Sequence, residues 1–274
     1  MIWQPSTRIV NAQDPIDWNH PINQGLLSDW TIIPQTRGGY VLNDLCGNNH
    51  GDLTTYMDAA DWVHTPHGDG LDTDNSATDH VEFRAIPPVD STTWAAWVML
   101  RAAGSYPMIY STGPSGGYHE LAYSAASRKP YVIWNYAASG YGTFVHATAM
   151  ALNTWHHIAC TYDGTTLKLY VDGSYSGEDA STYGTPSFFW SAARGDTGFG
   201  LYTLDGQISR GRVYDRPLSK REMHELYLDG LRKQSHLHNY YTPKHYSLVA
   251  APAGGATQKG VFSKPFIGPF GGPV

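Results

Sequence analysis

Closely spaced acidic side chains in this sequence are candidate ligands for a metal ion. Hard cations such as Ca²⁺ take several oxygen ligands from the carboxylates and amides of loops. One segment offers Asp72, Asp74 and Asp79, and a second offers Asp44 with neighbouring asparagines. The first is not an EF-hand loop, because Ala77 stands where that loop needs glycine. We therefore expect at most one Ca²⁺ ion, held by these carboxylates, and no other cofactor.

Aromatic side chains beside amides form a second group of candidate residues. A sugar-binding surface combines an exposed aromatic ring, which stacks on the sugar, with polar groups that hydrogen-bond its hydroxyls. The candidates for such a carbohydrate site are Trp134, Asn135, Tyr136, Tyr141 and Trp190. Large aromatic residues are also common in β-sandwich cores, so Trp134 and Trp190 have a competing interpretation as core residues.

The glutamates do not form a recognisable catalytic pair. Glycoside hydrolysis needs two carboxyl groups that face each other across the scissile bond. Glu82, Glu120 and Glu178 lack such partners in the sequence, and Glu222 and Glu225 have the spacing of a solvated helix face. We therefore predict that the protein is not an enzyme and has no catalytic residues.

The net charge of −6 is unevenly distributed along the 274 residues. Residues 231–274 contain five basic residues and no Asp or Glu, which leaves 13 basic and 24 acidic residues, or −11, in the rest of the chain. The same tail is spaced by prolines and repeats aromatic residues, which are common interface anchors. We expect it to be an assembly arm that contacts neighbouring subunits through Tyr240, Tyr241, Tyr246, Phe262 and Phe266. The competing interpretation is that it covers a face or edge of its own sandwich.

Composition argues against several classes of partner and location. The acidic body has no basic stripe, so we expect no nucleic-acid partner. Apolar stretches do not reach the length of a membrane span, so we expect no membrane span. The first residues lack the basic region and apolar run of a secretory signal, so export by another route, such as cell lysis, is one expectation.

Short apolar runs separated by turn residues predict an all-β fold. The strongest hairpin signal is an Asp-Gly turn at 163–164 between apolar runs at 155–162 and 167–171. One short helix is predicted, with Ser219 as its N-cap, Glu222 completing a capping box and Gly230 at its end. Further strands are expected near residues 26–33, 80–83, 92–99, 108–110, 131–134 and 142–146.

The chain divides into three parts on this pattern. Residues 1–24 are expected to form an extended N-terminal arm, residues 25–230 a β-sandwich, and residues 231–274 the basic C-terminal arm. Two cysteines, Cys46 and Cys160, are too few for a disulfide framework. We favour two buried thiols over one bridge.

Four motifs in order resemble the laminin-G-like, concanavalin A-like jelly-roll family. They lie at residues 44–51, 91–99, 153–173 and 204–219, with the last continuing into the predicted helix. The resemblance implies a β-sandwich of two antiparallel sheets with one short C-terminal helix, usually without catalysis, and roles in binding glycans or proteins. Many members carry an acidic pair where this sequence has Ser209 and Arg210, which removes one implied calcium ligand.

The two ends of the chain resemble proteins of tailed phages. Residues 17–25 are similar to the segment that precedes such a sandwich there, and residues 240–255 are similar to the tail that follows it. The resemblance implies a virion surface, decoration or tail component with glycan adhesion, located on the virion or at an extracellular surface. The sequence is also compatible with two other functions, a secreted lectin-like protein and a polysaccharide-cleaving enzyme on the same fold.

Overall fold

The computed structural model describes most of the predicted sandwich. The described residues are 16–30, 41–47, 49–53, 57, 61–74, 79–83, 89–102, 106–112, 119–136, 140–180, 190–192, 194–196 and 201–231. Within these ranges the chain is mostly β, with antiparallel pairing throughout and one α-helix. This confirms the prediction of an all-β fold of antiparallel sheets with one short helix.

Eighteen strands, a 3₁₀ turn and a helix make up the described elements. The 3₁₀ turn is Pro21–Asn23 and the helix α1 is Lys220–Leu231. The strands in chain order are β1 (Leu26–Trp30), β2 (Val41–Leu42), β3 (Gly51–Asp52), β4 (Trp62–Thr65), β5 (Gly68–Asp74), β6 (Val81–Phe83), β7 (Thr92–Leu100), β8 (Met108–Thr112), β9 (His119–Tyr123), β10 (Pro130–Tyr136), β11 (Gly140–Val145), β12 (Trp155–Tyr162), β13 (Thr166–Val171), β14 (Ser174–Ala180), β15 (Trp190–Ala192), β16 (Arg194–Asp196), β17 (Leu201–Thr203) and β18 (Asp205–Tyr214).

Two large sheets and one small hairpin organise these strands. The first sheet has the order β14-β13-β12-β7-β18-β5-β4, with β1 also paired to β18. The second sheet has the order β11-β10-β9-β8-β15-β6-β3-β2. The remaining strands, β16 and β17, pair with each other. The predicted hairpin is present as β12 and β13, and Gly164 in its turn has a φ of +92°, which favours glycine.

Large side chains from the strands of both sheets form the main core. Trp94 of β7 lies against Trp134 of β10, with ring centroids 4.7 Å apart, and Trp30 stacks on Phe83 at 3.9 Å. Cys160 is buried in this core, and Cys46 is buried in a second cluster; both are free thiols, as predicted.

Helix α1 packs on the central strands of the outer face of the first sheet. Small residues on the central strands, Ala95 and Ala159, leave room for apolar side chains of the helix and the segment before it. Leu218, Met223 and Leu226 fill that space. Most residues on both faces of β7 and β12 are therefore buried.

Helix α1 begins as predicted and ends differently. Ser219 and Glu222 form the capping box, with the Ser219 amide donating to Glu222 Oε2 at 2.8 Å and the Glu222 amide donating to Ser219 Oγ at 3.3 Å. Gly230, predicted to end the helix, lies inside it. A β-carbon at Gly230 would overlap the ring of Trp97, so this glycine allows close approach to the sheet rather than helix termination.

A buried polar cluster holds the last turn of α1 on the first sheet. We call it the helix-dock cluster; its members are His67, His157, Arg210, Arg212, Asp29 and Asp229. Arg210 pairs with Asp229 at 3.0 Å, and Arg212 pairs with Asp29 at 3.1 Å. The Nδ1–H of His67 donates to the carbonyl of Gly230 at 2.7 Å. Each buried cation therefore has an anionic partner, as burial of charge requires.

The described part of the predicted N-terminal arm packs against the sandwich. Ile16 and Ile22 are buried beside the apolar residues of α1. Arg216 donates to the carbonyls of Pro21 and Gln24 at 3.1 and 2.7 Å. Residues 16–24 are thus anchored to the sandwich by apolar burial and by backbone hydrogen bonds, which differs from the expected extended arm. No helix among the described residues is long and apolar enough to cross a membrane.

Candidate functional site

The outer face of the second sheet carries a row of residues that are paired from strand to strand. Paired residues of antiparallel strands project from the same face of a sheet. The row follows the register and consists of Asp52, Glu82, Ser111, Glu120, Ile133 and Thr143, with the backbone of β15 paired between Glu82 and Ser111. The flanking residues Val81, Phe83 and Leu121 point into the core, which fixes the row as outward-facing.

Glu120 is the most deeply buried carboxyl group of this row. Only 3 % of the residue is exposed, and the Tyr131 hydroxyl donates to its Oε2 at 3.0 Å. Its Oε1 has no hydrogen-bond partner among the described residues. Burial raises the pKa of Glu120, and the hydrogen bond from Tyr131 opposes that shift. A buried acceptor without a partner is costly unless something supplies a donor.

An exposed tyrosine lies at the edge of this buried pair. Tyr106 is 44 % exposed, and its ring meets the ring of Tyr131 edge-on, with centroids 6.4 Å apart. Its φ of +54° is unusual for a bulky residue and is maintained by the surrounding structure. Val145, paired with Tyr131, is also 44 % exposed. We call Tyr106, Glu120, Tyr131, Ile133 and Val145 the outer-face patch.

The prediction of Trp134 as a sugar-binding residue is wrong. The residue is fully buried between the sheets and packs on Trp94, Tyr162 and His119. Side chains alternate along β10, so Val132 and Trp134 point inward while Tyr131 and Ile133 point outward. The competing interpretation of Trp134 as a core residue is correct.

The other carbohydrate candidates are placed only through their backbone. Asn135 pairs with Tyr141, and Tyr136 with Gly140, across the β10–β11 hairpin. Trp190 pairs with Phe83 and Thr112 in the second sheet. The side chains of these four candidates lie outside the described part of the chain, and so do Tyr240, Tyr241, Tyr246, Phe262 and Phe266 of the predicted assembly arm.

The four candidate calcium ligands have protein partners, and Asp44 lies in a different loop from the other three. Asp72 forms an ion pair with Arg101 and accepts a hydrogen bond from Gln207 at 2.6 Å. Asp44 organises its own loop, since its carboxylate accepts from the amides of Asp29, Cys46 and Asn49 at 2.8 to 3.0 Å.

Asp74 and Asp79 are the candidate ligands that lie together. Asp79 Oδ2 accepts from the Asp74 amide at 3.2 Å. Burial and the neighbouring Asp74 carboxyl raise the pKa of Asp79. The described residues contain no group of three or more His, Cys, Asp or Glu side chains that could hold a metal ion. Arg210, at the position of the family's acidic pair, is committed to Asp229. Calcium binding stays a prediction.

Comparisons with known proteins agree with the fold. A laminin-G family model, described as the concanavalin A-like lectin/glucanases superfamily, matches residues 72–224, more than half of the chain. A search of curated proteins gives no match.

Several solved structures share the fold at low sequence identity. Domain 4 of AbnA, an extracellular arabinanase from Geobacillus stearothermophilus solved with arabinotriose, has a TM-score of 0.58 at 10 % identity, covering 74 % of this chain and 98 % of that domain. The binding domain of Paraclostridial Mosquitocidal Protein 1 has a TM-score of 0.59 at 11 % identity, covering 75 % and 52 %. Trypanosoma rangeli sialidase in complex with sialic acid has a TM-score of 0.55 at 16 % identity; the match spans 78 % of this chain and 34 % of the sialidase.

Proposed function

The chain belongs to the concanavalin A-like lectin/glucanases superfamily, and on that basis we propose that it is a carbohydrate-binding module without catalytic activity, whose outer-face patch receives the sugar. The observation that carries the proposal is the exposed ring of Tyr106 against the buried Tyr131–Glu120 pair. Such a ring offers a flat apolar surface on which a sugar can stack, and the buried ring of Tyr131 supports it edge-on. On the other sheet, helix α1 covers the central strands of the outer face.

The spacing of the outward carboxylates supports binding rather than cleavage. Glu82 lies on β6 and Glu120 on β9, and the strands β15 and β8 lie between them in the sheet. The two residues are therefore three interstrand spacings apart. At about 4.8 Å per step their backbones are roughly 14 Å apart. Carboxyl pairs that cleave glycosidic bonds are about 5 to 9.5 Å apart. Incubation with a polysaccharide panel is therefore expected to release no reducing sugar, and release would favour the enzyme alternative.

Tyr106→Ala tests the proposal directly. Removing the ring should weaken glycan binding by about tenfold or more, because exposed aromatic residues are typical binding anchors. Binding is measured on a glycan array and then by calorimetry with the best oligosaccharide. Arabino-oligosaccharides are included because a domain of similar fold was solved with arabinotriose.

Tyr175→Ala is the matched control. Tyr175 is 38 % exposed on β14 of the first sheet, and Lys220 lies over its ring. Its replacement should leave glycan binding unchanged. Equal losses from both variants, or no effect of Tyr106→Ala, would show that the sugar binds elsewhere.

We further propose that the module works as a virion surface, decoration or tail component that adheres to glycans. The resemblance of residues 17–25 and 240–255 to tailed-phage proteins supports this, and so does the basic, aromatic tail beside an acidic body. A secreted lectin-like protein is the alternative. Mass spectrometry of purified particles decides between them, since a secreted lectin would not co-purify with virions.

A further inference from the structure

The turn between β9 and β10 carries two basic side chains beside the outer-face patch. It consists of residues 124–129, which we call the basic turn, and its last two residues are Arg128 and Lys129. The Arg128 amide donates to the carbonyl of Ser124 at 2.9 Å, and the Ser124 amide donates to the carbonyl of Lys129 at 2.9 Å. These hydrogen bonds hold the backbone of both basic residues in one conformation.

The register of the second sheet places Lys129 in line with Tyr106. On one side the Tyr123 amide donates to the carbonyl of Pro107 at 2.8 Å, and on the other side Tyr123 pairs with Pro130. The residue after Tyr123 therefore lies between Tyr106 and Lys129. Two interstrand spacings of about 4.8 Å separate the backbones of Tyr106 and Lys129 by about 10 Å. An oligosaccharide that lies on the ring of Tyr106 thus reaches the basic turn.

The two basic side chains of this turn are accessible from the outer face. Tyr131 and Ile133 point outward from β10. Lys129 lies two residues before Tyr131, about 7 Å along the chain, so alternation gives it the same face. Lys129 and Arg128 are both partly exposed, and neither forms an ion pair with a carboxylate in the described part of the chain. Both cations are therefore available to a ligand that lies on this face.

The stretch of chain that forms this face is poor in acidic residues. Between Asp90 and Asp163 the sequence contains one acidic residue, Glu120. Glu120 pairs with Ile133, four residues beyond Lys129 and about 13 Å along β10, and only 3 % of it is exposed. It therefore does not contribute to the surface around the basic turn. The charge beside Tyr106 is basic, although the whole chain carries −6.

Two carboxylates of the first sheet lie near this edge, and both have protein partners. Asp172 accepts from Nδ1–H of His156 and from the amide of His157, each at 2.9 Å. Asp179 accepts from the amide of Thr143 at 3.0 Å. Neither carboxylate neutralises the basic turn, because neither is paired with its cations.

We propose that the outer-face patch and the basic turn together bind glycans that carry an anionic group, a carboxylate or a sulfate, and that Lys129 and Arg128 contact that group. This inference rests on the proposed function of the same patch. Lysine offers a compact charge with three donors, and arginine offers donors that match two oxygens of one anionic group. The ring of Tyr106 then holds a sugar unit while the two cations select for its negative charge.

The experiment compares matched forms of one sugar backbone. A glycan array carries each backbone in neutral, carboxylated and sulfated form, and calorimetry then measures the best set at about 0.15 M salt. We expect an acidic form to bind about three- to tenfold more tightly than the neutral form. The ratio should fall toward one at about 1 M salt, where charges are screened within about 3 Å. A neutral form that binds as tightly as both acidic forms overturns the inference.

Lys129→Gln assigns the preference to the basic turn. Removing this charge should lower the ratio of acidic to neutral binding by about two- to fivefold and leave binding of the neutral form unchanged. Arg221→Gln is the matched control, since Arg221 is exposed on α1, which packs on the first sheet, and should leave the ratio unchanged. An unchanged ratio in Lys129→Gln, or an equal fall in both variants, would contradict the inference.

The outcomes separate this inference from the function on which it rests. Absence of binding to every glycan, neutral or acidic, would contradict the proposed function and the selectivity with it. Binding that depends on Tyr106 but is the same for neutral and acidic forms would leave the proposed function standing and contradict only the selectivity.

Discussion

Gly230 shows how the lack of one side chain fixes the distance between a helix and a sheet. The residue lies in the last turn of α1, directly over the ring of Trp97. That ring is stacked on His67 at 3.7 Å and on Tyr227 at 5.5 Å, so it has little space to shift. An added methyl group must therefore move the helix or strain the ring.

Gly230→Ala is expected to destabilise the protein by about 1–3 kcal/mol, the usual cost of overpacking. A loss of stability would be informative, because replacing glycine by alanine in an exposed helix normally stabilises the helix by up to about 1 kcal/mol. Urea unfolding measures the free energy. Leu228→Ala, at an exposed position of the same helix, serves as the control and should change stability by less than about 0.5 kcal/mol. A variant as stable as the wild type would contradict the close contact with Trp97.

Trp134 and Tyr131 show what the sequence could and could not reveal at this scale. The run at 131–134 is predicted correctly as a strand, but its pattern does not say which face points outward, since both faces are aromatic or aliphatic. Knowing that Trp134 is core would have assigned Tyr131 and Ile133 to the opposite face by alternation. Tyr106 carried no sequence signal, because its exposure depends on a loop conformation and not on a periodic pattern.

The packing of helix α1 on the first sheet is expected to weaken in acid, because buried histidines lie beneath the helix. Burial lowers the pKa of His157 to about 3, and burial, with Arg210 nearby, also lowers the pKa of His67. Both histidines face charged neighbours: Asp172 favours their protonation, whereas Arg210 and Arg212 oppose it. The docked helix therefore requires neutral imidazoles beneath it.

Stability should fall as the pH drops below about 6.5. A histidine whose folded-state pKa lies below its unfolded value of about 6.5 contributes stability above that value and loses it as the pH falls toward the folded-state pKa. For His157 the window runs from about 6.5 to about 3. Urea unfolding at several pH values measures this slope.

His157→Gln isolates the contribution of that residue. The variant cannot gain the same proton, so its stability should change less between pH 6.5 and 5 than that of the wild type. Below about pH 4 the lowered pKa of Asp172 adds a further loss in both proteins, so the comparison belongs above that range. Parallel slopes in the two proteins would show that His157 does not limit acid stability.

The role of Gly230 at the end of α1 could not be predicted from the sequence, although the start of the helix could. The capping box of Ser219 and Glu222 is a local signal, and the structure confirms it. Gly230 has the composition of a helix end, yet its role depends on Trp97, more than a hundred residues earlier in the chain. Local patterns predict local geometry, and a contact between distant segments needs the fold.

At the scale of the whole molecule, the charge division between body and tail leads to a prediction about assembly. The body carries −11 and residues 231–274 carry five basic residues without an acidic one. Deletion of residues 234–274 should leave the sandwich folded, because helix α1 and its contacts are complete by Leu231. The truncated protein should lose association with other subunits or particles in sedimentation. Unfolding of the truncated protein while the full chain is a monomer would contradict the assembly arm.

The overall architecture was predictable because its signals repeat along the chain. The Asp-Gly hairpin of β12 and β13, the strand β7 and the closing strand with its helix appear in the expected order. The two sheets follow from such antiparallel strands because each must bury one face. The packing of Ile16 and Ile22 was missed, since single apolar residues between prolines and aspartates give no periodic signal.

The proposed site also bears on the valency of the molecule. The outer-face patch gives each chain one shallow sugar contact, and a contact of this kind binds weakly by itself. Strength must then come from repetition, because tethered copies meet a glycan-coated surface at high effective concentration and avidity can exceed the affinity of one site by about 10²- to 10⁴-fold. A free chain would release its sugar quickly, whereas an array of the same chains would hold a cell surface.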